Sequence, residues 1–316
     1  MSNHKLIILG NEIKKGERAF LELEVAKLHT RNTIKVPVIV ERGKKDGPTL
    51  LLMGGVHGDE VNGIAIVRNI IRKKYNKPFR GTIICIPVFN VFGFLNLRRE
   101  FPDGRDLNRM FPGFSNGSLA SQFAHRFTQE IAPIVDYVID FHSGGADRSN
   151  YPQIRCVTSE KKSLELAKIF NAPYILNSEY ISKSVRDTIR KLGKTILLFE
   201  GGKSNDLNQD VIDSGVTGAL NVMKHLGFHE GEPEINAPSI VVPESKWLRA
   251  PSSGMFQLRV ENGSRVTKKQ ILGEITDPYG SYEKKVVAPF DCYVFCVNTA
   301  PIVNKGDALF HVSIDS

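Results

Sequence analysis

The stretch GKKDGPTLLLMGGVHGDE, residues 43–60, decides the fold of this chain. It begins with a turn, continues as a short apolar strand and ends in a glycine-rich loop. The residues that follow, VNGIAIVRNIIRKKY (61–75), carry apolar side chains at helical spacing, from Ile64 through Val67 to Ile71. An apolar strand followed at once by a helix is the unit from which α/β domains are built. We therefore expect such a domain here.

Strands and helices of the same kind recur along the chain. Apolar or alternating strands are predicted at 19–40, 81–90, 137–142 and 195–200, and helices at 118–135, 160–170, 183–192 and 211–228. Residues 93–118 are rich in Gly, Pro, Arg and Asn and predict a long loop, which in a compact domain is usually functional. The pattern predicts an α/β fold with a mixed, largely parallel central sheet and helices on both faces.

The composition of the chain changes near residue 231. The segment GEPEINAPSIVVPESK (231–246) is rich in proline and is typical of a linker. Beyond it, short strands alternate with Gly, Asn, Pro and Asp turns, and no helical spacing is found. We predict two domains, an α/β domain over residues 1–235 and a small all-β domain over residues 236–316.

Composition and charge narrow the classes of function. The 316 residues are 41% hydrophobic and 24% charged, so the chain has enough apolar surface to bury a core. The net charge is +8, but many basic residues come in scattered pairs and form no dense block. We interpret them as solvated surface and predict no nucleic-acid partner. The alternative is that their summed field attracts anionic substrates or partners. The pairs are Lys14–Lys15, Lys73–Lys74, Lys161–Lys162, Lys268–Lys269 and Lys284–Lys285.

The cysteines and the N-terminal residues bear on the compartment. Cys85, Cys156, Cys292 and Cys296 fit neither a CxxC redox pair nor a paired zinc-knuckle spacing, so we expect four reduced, structural thiols. That usage favours a cytoplasmic protein. The start, MSNHKLIILGNEIKKGE, has only a four-residue apolar run, which is not typical of a signal peptide. No segment approaches the roughly 18 apolar residues of a membrane helix, so no membrane partner is expected.

The first candidate site is a metal centre. His57 and Glu60 form an H-x-x-E pair in the loop after the first apolar strand, so their side chains lie on one turn. A third ligand from elsewhere would leave one position open for water. His142 fits, because it ends a second apolar strand and ligands of α/β sheets bind at the carboxyl ends of strands. Two histidines and one glutamate are a catalytic zinc arrangement.

Both histidine-bearing segments have simpler interpretations. The H-x-x-E pair alone is a weak motif, and His142 would also fit as a core histidine satisfied by hydrogen bonds. Asp140 lies two residues before His142 and shares its strand face. It would orient a metal-bound imidazole from behind, or it is an ordinary buried carboxylate.

Glu200 ends another apolar strand, directly before Gly201 and Gly202. A carboxylate in this position costs desolvation free energy unless it is paired or used. Beside an activated water it would act as general base and then as acid toward a leaving amine. The alternative is a capping or salt-bridged glutamate.

The loop over residues 99–113 carries three arginines and an asparagine, Arg99, Arg105, Asn108 and Arg109. Arginine binds carboxylates through two parallel hydrogen bonds and stabilises an oxyanion as it develops. The loop therefore predicts a site for a small carboxylate-bearing substrate, and a solvated basic loop is the alternative.

Taken in order, GGVHGDE, RxxPDGRDLNRMFPG, DFHSGG and FEGG resemble the motifs of the succinylglutamate desuccinylase/aspartoacylase family, which is related to the zinc carboxypeptidases. The motifs span residues 54–202, and the order of the elements is similar over nearly the whole chain. The resemblance implies a zinc carboxypeptidase-like fold with one Zn²⁺ per chain, and hydrolysis of an amide bond.

The resemblance also implies roles for single residues. Zinc would be bound by His57, Glu60 and His142. Glu200 would be the general base and acid, and Arg99 would polarise the scissile carbonyl, a role for which Arg98 and Arg105 are alternatives. The substrate carboxylate would be bound by Asn108 and Arg109.

The C-terminal segment is similar to barrel-sandwich modules of the lipoyl and biotinyl type. A carrier module of this type presents a modified lysine at a hairpin tip, whereas the matching tip here, residues 276–280, reads TDPYG and has no lysine. We therefore expect no biotin or lipoate. The module is expected to form a wall of the active-site cleft or a contact in a homo-oligomer.

Three functions remain open from the sequence. The first is a zinc-dependent deacylase acting on a small N-acyl amino acid. The second is a metallocarboxypeptidase acting on a peptide C-terminus, which is disfavoured if the small domain narrows the cleft. The third is a non-catalytic metal- or ligand-binding protein on the same fold, against which the glutamate at position 200 argues because a binder needs no base.

Overall fold

The computed structural model describes residues 5–27 and 29–314, so the expectation about a signal peptide falls in part, at residues 1–4, outside the described residues. The described residues form nineteen strands and six α-helices. The strands are β1 (Leu6–Ile8), β2 (Asn11–Ile13), β3 (Arg18–Lys27), β4 (Thr33–Arg42), β5 (Lys45–Gly54), β6 (Arg80–Ile86), β7 (Tyr137–Gly144), β8 (Arg148–Cys156), β9 (Tyr174–Asn177), β10 (Thr195–Lys203), β11 (Ile240–Val242), β12 (Ser245–Arg249), β13 (Gly254–Leu258), β14 (Arg265–Val266), β15 (Ile271–Thr276), β16 (Glu283–Val287), β17 (Cys292–Asn298), β18 (Ile302–Val303) and β19 (Ala308–Ser313). The helices are α1 (Val61–Arg72), α2 (Val91–Asn96), α3 (Leu119–Glu130), α4 (Lys161–Phe170), α5 (Val185–Lys191) and α6 (Gln209–His225).

The centre of the molecule is a parallel block of four strands in the order β6-β5-β7-β10. Antiparallel strands extend it on both sides, β4 and β3 next to β6, and β8 next to β10. Parallel strands β9 and β11 continue from β8. The predicted mixed, largely parallel sheet is confirmed.

Helices cover both faces of this sheet, as predicted. Alternation along β5 divides its side chains between two cores, with Leu51 and Met53 on one face and Leu50 and Leu52 on the other. The first face packs against α3, α5 and the β1–β2 hairpin, and the second packs against α1, α4 and α6. Because both faces are buried, the central strands have almost continuous apolar sequences.

Several local predictions are confirmed with small shifts in their ends. The capping residue predicted for α3, Ser118, accepts a hydrogen bond from the backbone N–H of Ser121 at 3.4 Å. The helix predicted at 211–228 is α6, which begins and ends a few residues earlier. The long loop predicted at 93–118 contains most of α2 and a 3₁₀ turn over Leu107–Arg109. Strands β8, β9 and β11 were not among the predictions.

The C-terminal residues form two small sheets packed face to face. One has the order β16-β15-β13-β18, and the other contains β12, β19, β17 and β14. An apolar core that includes Phe256, Leu272, Leu309 and Phe310 fills the space between them. Strand β17 also pairs with β8, so the second small sheet continues the large one. The all-β character of this region is confirmed.

The structure also bears on the expectations about the cysteines and about membrane-spanning helices. Cys85, Cys156, Cys292 and Cys296 are all buried, as expected of structural thiols. Within residues 5–27 and 29–314, no helix is long and apolar enough to span a membrane.

Candidate metal centre and surrounding pocket

The predicted site residues lie at one end of the central parallel strands. His142 on β7 and Glu200 on β10 are direct partners in the register of these neighbouring parallel strands. His57 lies in the loop after β5, the strand on the other side of β7, and Glu60 directly precedes α1. Four side chains from three distant segments of the sequence therefore lie at the carboxyl ends of the parallel strands.

The glycine-rich loop packs directly on helix α2, and this close approach requires a glycine at position 58. A Cβ atom at Gly58 would lie 1.9 Å from the carbonyl carbon of Gly93. A side chain at position 58 would therefore push the loop, and with it His57 and Glu60, away from α2.

His57, Glu60 and His142 form a buried cluster in which one ligand atom from each residue lies within 4.8 Å of the others. His57 Nδ1 lies 2.7 Å from Glu60 Oε1, and His142 Nδ1 lies 2.8 Å from Glu60 Oε2. The Nδ1 atoms of both imidazoles therefore face the same carboxylate. Two imidazole nitrogens and one carboxylate at this spacing fit a zinc ion and leave a position open.

A carboxylate holds the far nitrogen of each imidazole. Asp140 Oδ2 lies 2.9 Å from His142 Nε2, and Asp106 Oδ1 lies 3.1 Å from His57 Nε2. A hydrogen bond at Nε2 leaves the lone pair on Nδ1, which is the atom that faces Glu60. The orienting position inferred for Asp140 from the sequence is the one observed.

The charged groups of this cluster strongly shift one another's pKa values. Burial alone would raise the pKa of Glu60, but the charges of His57 and His142 hold it well below the usual range. Burial lowers the pKa values of the two histidines, yet the neighbouring carboxylates more than offset this effect, so both values are raised. Buried negative charge therefore stabilises a cation at the point where the three side chains converge.

Arg99, one of the three arginines considered from the sequence, contacts this cluster. Its Nη1 donates to Glu60 Oε1 at 3.2 Å and lies 3.2 Å from His57 Nδ1, and its Nη2 donates to Asp106 Oδ2 at 2.9 Å. Asp106 therefore anchors both Arg99 and His57. Arg98 lines the same pocket. Arg105 is paired with Asp103 instead, and does not line the pocket.

Glu200 lines the same pocket, and two side chains lie next to its carboxylate oxygens. Asn150 Nδ2 donates to Glu200 Oε2 at 2.8 Å, and Arg155 Nη1 lies 3.6 Å from Oε1. Both partners belong to β8. The carboxylate still lines the pocket, and its side chain is 12% exposed. It is therefore oriented by neighbours and accessible to a small molecule.

Asn108 and Arg109 also line the pocket, from the 3₁₀ turn. Asn108 Oδ1 accepts a hydrogen bond from the backbone N–H of Val185 at 2.9 Å, so the side chain is fixed against the start of α5. Arg109 Nη1 donates to the carbonyl oxygen of Asn108 at 2.7 Å, and no carboxylate among the described residues is paired with it. Its guanidinium is available for an anionic group.

The pocket has a volume of about 630 Å³, a size typical of small-molecule sites. Trp247 of β12 and Cys296 of β17 form part of its wall. The prediction that the C-terminal module contributes to the cleft is therefore confirmed.

Four residues that surround the site were not predicted from the sequence. Asp106 was detectable in principle, because it is an acidic residue within the arginine-rich loop. Asn150 and Arg155 gave no signal, because β8 contains Pro152 and has no clear alternation. Arg186 gave none either. It is buried against β8, donates to the carbonyl oxygen of Arg155 at 3.1 Å and lines the pocket.

Comparison with known proteins agrees with this architecture. The family model for the succinylglutamate desuccinylase/aspartoacylase catalytic domain matches residues 46–226. The N-alpha-acetyl-L-2,4-diaminobutyric acid deacetylase of Halomonas elongata is 31% identical over 278 residues, which are 83% of this chain and 80% of that protein.

Two solved structures have similar folds. The succinylglutamate desuccinylase/aspartoacylase of Rhodobacter sphaeroides is 26% identical, with a TM-score of 0.85, and the match covers 96% of this chain and 97% of that one. The ectoine utilization protein EutE (DoeB) of Ruegeria pomeroyi, in a product-bound structure, is 23% identical, with a TM-score of 0.84 and 96% coverage of both chains.

The fold and the site define an α/β protein with a candidate metal centre at the carboxyl edge of its parallel strands. The chain belongs to the succinylglutamate desuccinylase/aspartoacylase family, whose members are hydrolases that act on amide bonds. The resemblance seen in the motifs between residues 54 and 202 is confirmed.

Proposed function

We propose that this protein is a zinc-dependent deacylase that hydrolyses the amide bond of a small N-acyl amino acid. One observation carries the proposal. A buried cluster of two histidines and a glutamate shares a small pocket with an oriented, accessible carboxylate, that of Glu200. A protein that only binds a metal or a ligand has no need of this second carboxylate.

A zinc ion held by His57, Glu60 and His142, one per chain, would supply a Lewis acid that polarises the scissile carbonyl and acidifies the attacking water. Glu200 would take the proton from that water and deliver it to the departing amine, since it lies at the same strand edge as His142. Arg99 would donate to the carbonyl oxygen as negative charge develops there, because its guanidinium lies beside the metal ligands.

Asn108 and Arg109 would bind the carboxylate of the amino-acid part. Asn108 Oδ1 is occupied by Val185, so the amide nitrogen is left to donate to the substrate. Arg109 would add two hydrogen bonds and a charge. Together they would fix the distance between the substrate carboxylate and the scissile bond, and so select α-carboxylates.

The size and walls of the pocket favour a small substrate over a peptide. A volume of about 630 Å³ with Trp247 on its wall suits a single N-acyl amino acid. The diaminobutyric acid deacetylase relative supports the same class. A metallocarboxypeptidase would need an open channel for the rest of the peptide, and the module that carries Trp247 and Cys296 adds a wall to the pocket.

The test is a panel of N-acyl amino acids read by amine release, with Glu200→Gln as the key variant. N-acetyl-diaminobutyrate, N-acetyl-aspartate and N-succinyl-glutamate sample the family, and a C-terminal dipeptide tests the carboxypeptidase alternative. Glu200→Gln should retain about one zinc per chain and lose turnover by roughly 10²–10⁴-fold, the usual contribution of a general base.

Glu100→Gln is the matched control, because Glu100 lines the same pocket without contacting Glu200 or the histidines. It should keep most of the activity. Normal turnover in Glu200→Gln would refute the assigned base, and hydrolysis of only the dipeptide would favour the carboxypeptidase.

A further inference from the structure

Strand β8 is the neighbour of β10 on the side away from β7. Its side chains contact both oxygens of the Glu200 carboxylate, as described above for Asn150 and Arg155. Asn150 is 4% exposed, and a hydrogen bond between a buried amide and a carboxylate is strong and directional. The position of Glu200 therefore depends on the position of β8.

The opposite edge of β8 pairs with β17 of the C-terminal module at residues 148–150 and with β9 at residues 153–156. Asn150 is the direct register partner of Cys296 on β17. Between them the two strands bury the side chain of Gln153, whose Nε2 donates to the carbonyl oxygen of Phe295 at 3.1 Å. The residue that contacts Glu200 is thus also the residue where the module is joined to the sheet.

Further bonds fix the module against the start of β8 and the strand beyond it. Thr299 N–H donates to the carbonyl oxygen of Asp147 at 2.8 Å, and Asn262 Nδ2 donates to that of Ser149 at 3.0 Å. Tyr174 on β9 donates through its hydroxyl to the carbonyl oxygen of Gly263 at 2.7 Å. Strand β8 is therefore held between β10 and the module in its first half, and between β10 and β9 in its second half.

From these contacts we infer that the C-terminal module positions the general base, through β8, with Asn150 as the principal positioning residue and Arg155 as the second. This inference rests on the proposed role of Glu200. Asn150 fixes the direction of the Glu200 carboxylate through Oε2, and Arg155 Nη1 lies 3.6 Å from Oε1, while the residue still lines the pocket. The module thereby contributes to catalysis without touching the reacting atoms, in addition to forming a wall.

The experiment uses the full-length, zinc-loaded protein and the N-acyl amino acid that the panel shows to be hydrolysed fastest. Asn150→Ala removes the donor. Asn150→Asp keeps the volume but presents a negative charge to Glu200. Each should lower kcat by about 10- to 100-fold, the effect of losing one hydrogen bond to a charged group. KM and zinc content should stay within about two-fold of wild type, because neither variant touches the metal or carboxylate anchors.

Asn221→Ala is the matched control. It also removes a buried asparagine amide, which bonds α6 to the backbone of Glu234, but no contact of Glu200. It should keep kcat within about two-fold, even if the melting temperature falls. A crystal structure of Asn150→Ala gives a readout independent of turnover, in which the Glu200 carboxylate should be displaced or occupy more than one conformer.

The inference is overturned if Glu200→Gln is inactive while both Asn150 variants keep kcat within two-fold of wild type. Equal losses of kcat in Asn150→Ala and Asn221→Ala would overturn it too, since Asn150 would then act only through stability. If Glu200→Gln is itself active, the proposed function fails, and that outcome is recognised before any Asn150 variant is measured.

Discussion

Asp106 is expected to control the affinity for zinc, although it is not a ligand. Its Oδ1 lies 3.1 Å from His57 Nε2 and its Oδ2 accepts from Arg99 Nη2 at 2.9 Å. Burial raises the pKa of Asp106, but the hydrogen bond to His57 and the charges of His57 and Arg99 more than offset this effect and hold that pKa well below its usual value, so the carboxylate stays ionised at neutral pH. Removal of this charge would free the ring of His57 to rotate and to change its tautomer.

The magnitude follows from the hydrogen bond that is lost. A hydrogen bond to a charged group contributes about 1.5–3 kcal/mol, and loss of a carboxylate behind a metal-bound histidine costs about 10- to 100-fold in metal affinity. Asp106→Asn keeps the shape and one acceptor, so we expect about a 10-fold rise in the Kd for zinc. Asp106→Ala should approach 100-fold. Turnover at saturating zinc should also fall, because Arg99 loses its anchor.

The assay is competition with a chromogenic chelator, in which each variant is titrated with zinc at one pH. Asp103→Asn is the control, because Asp103 lies in the same loop and is paired with Arg105 outside the pocket. It should bind zinc like the wild type. A Kd in Asp106→Ala within two-fold of wild type would refute the account of how His57 is held.

Further predictions concern substrate binding, acid stability and packing. Arg109→Ala should raise KM about 10-fold or more for carboxylate-bearing substrates, whereas Arg105→Ala should not; equal KM values would point to another anchor. The pKa of His311 is lowered to about 3 by burial and, to a smaller extent, by a nearby arginine, so the fold favours the neutral ring. Its stabilising effect is complete above the unfolded value of about 6.5 and is lost as the pH falls from there toward 3. Metal-free protein should therefore lose about 2–3 kcal/mol of unfolding free energy from this group between pH 7 and pH 4.5, measured by denaturant titration, and His311→Gln should lack this component. Gly58→Ala should cost at least about 1–3 kcal/mol because its Cβ would overlap the backbone of α2, while Gly145→Ala, whose Cβ would meet its nearest neighbour at 3.5 Å, should be nearly neutral by thermal unfolding.

The central strands and the residues of the candidate metal centre were predictable because their signals are local. Buried parallel strands have continuous apolar sequences, and a histidine or glutamate at the end of such a run is costly unless it has a use. His142 and Glu200 follow this rule, and His57 and Glu60 lie in the glycine-rich loop after such a strand. Their convergence then follows from the geometry of a parallel sheet, in which the carboxyl ends of neighbouring strands share an edge.

The surroundings of Glu200 could not be predicted, because they depend on strand pairing between distant segments. Strand β8 has a proline and few apolar residues, so neither its existence nor its register with β10 was evident from its sequence. The pairing of β17 with β8 joins residues almost 150 positions apart, Asn150 and Cys296. Only the folded molecule brings the module close enough to pair with the strand that contacts Glu200.

Which of three nearby arginines contacts the candidate metal centre could not be predicted from the sequence either. Arg98, Arg99 and Arg105 are equivalent by composition and close in sequence. The structure separates them, because α2 ends at Asn96 and the following loop directs Arg99 toward Glu60 and Asp106, whereas Arg105 pairs with Asp103. The choice depends on a loop conformation that has no periodic signal.

The most direct measurement of the central claim is a zinc titration of the metal-free protein, with amide hydrolysis followed at each addition. If His57, Glu60 and His142 form one catalytic site, activity should rise linearly and stop at one zinc per chain. His142→Ala should show no such break, because it lacks one of the three ligands. Full turnover in metal-free protein, or a break in His142→Ala at the same zinc ratio as in the wild type, would contradict the assignment.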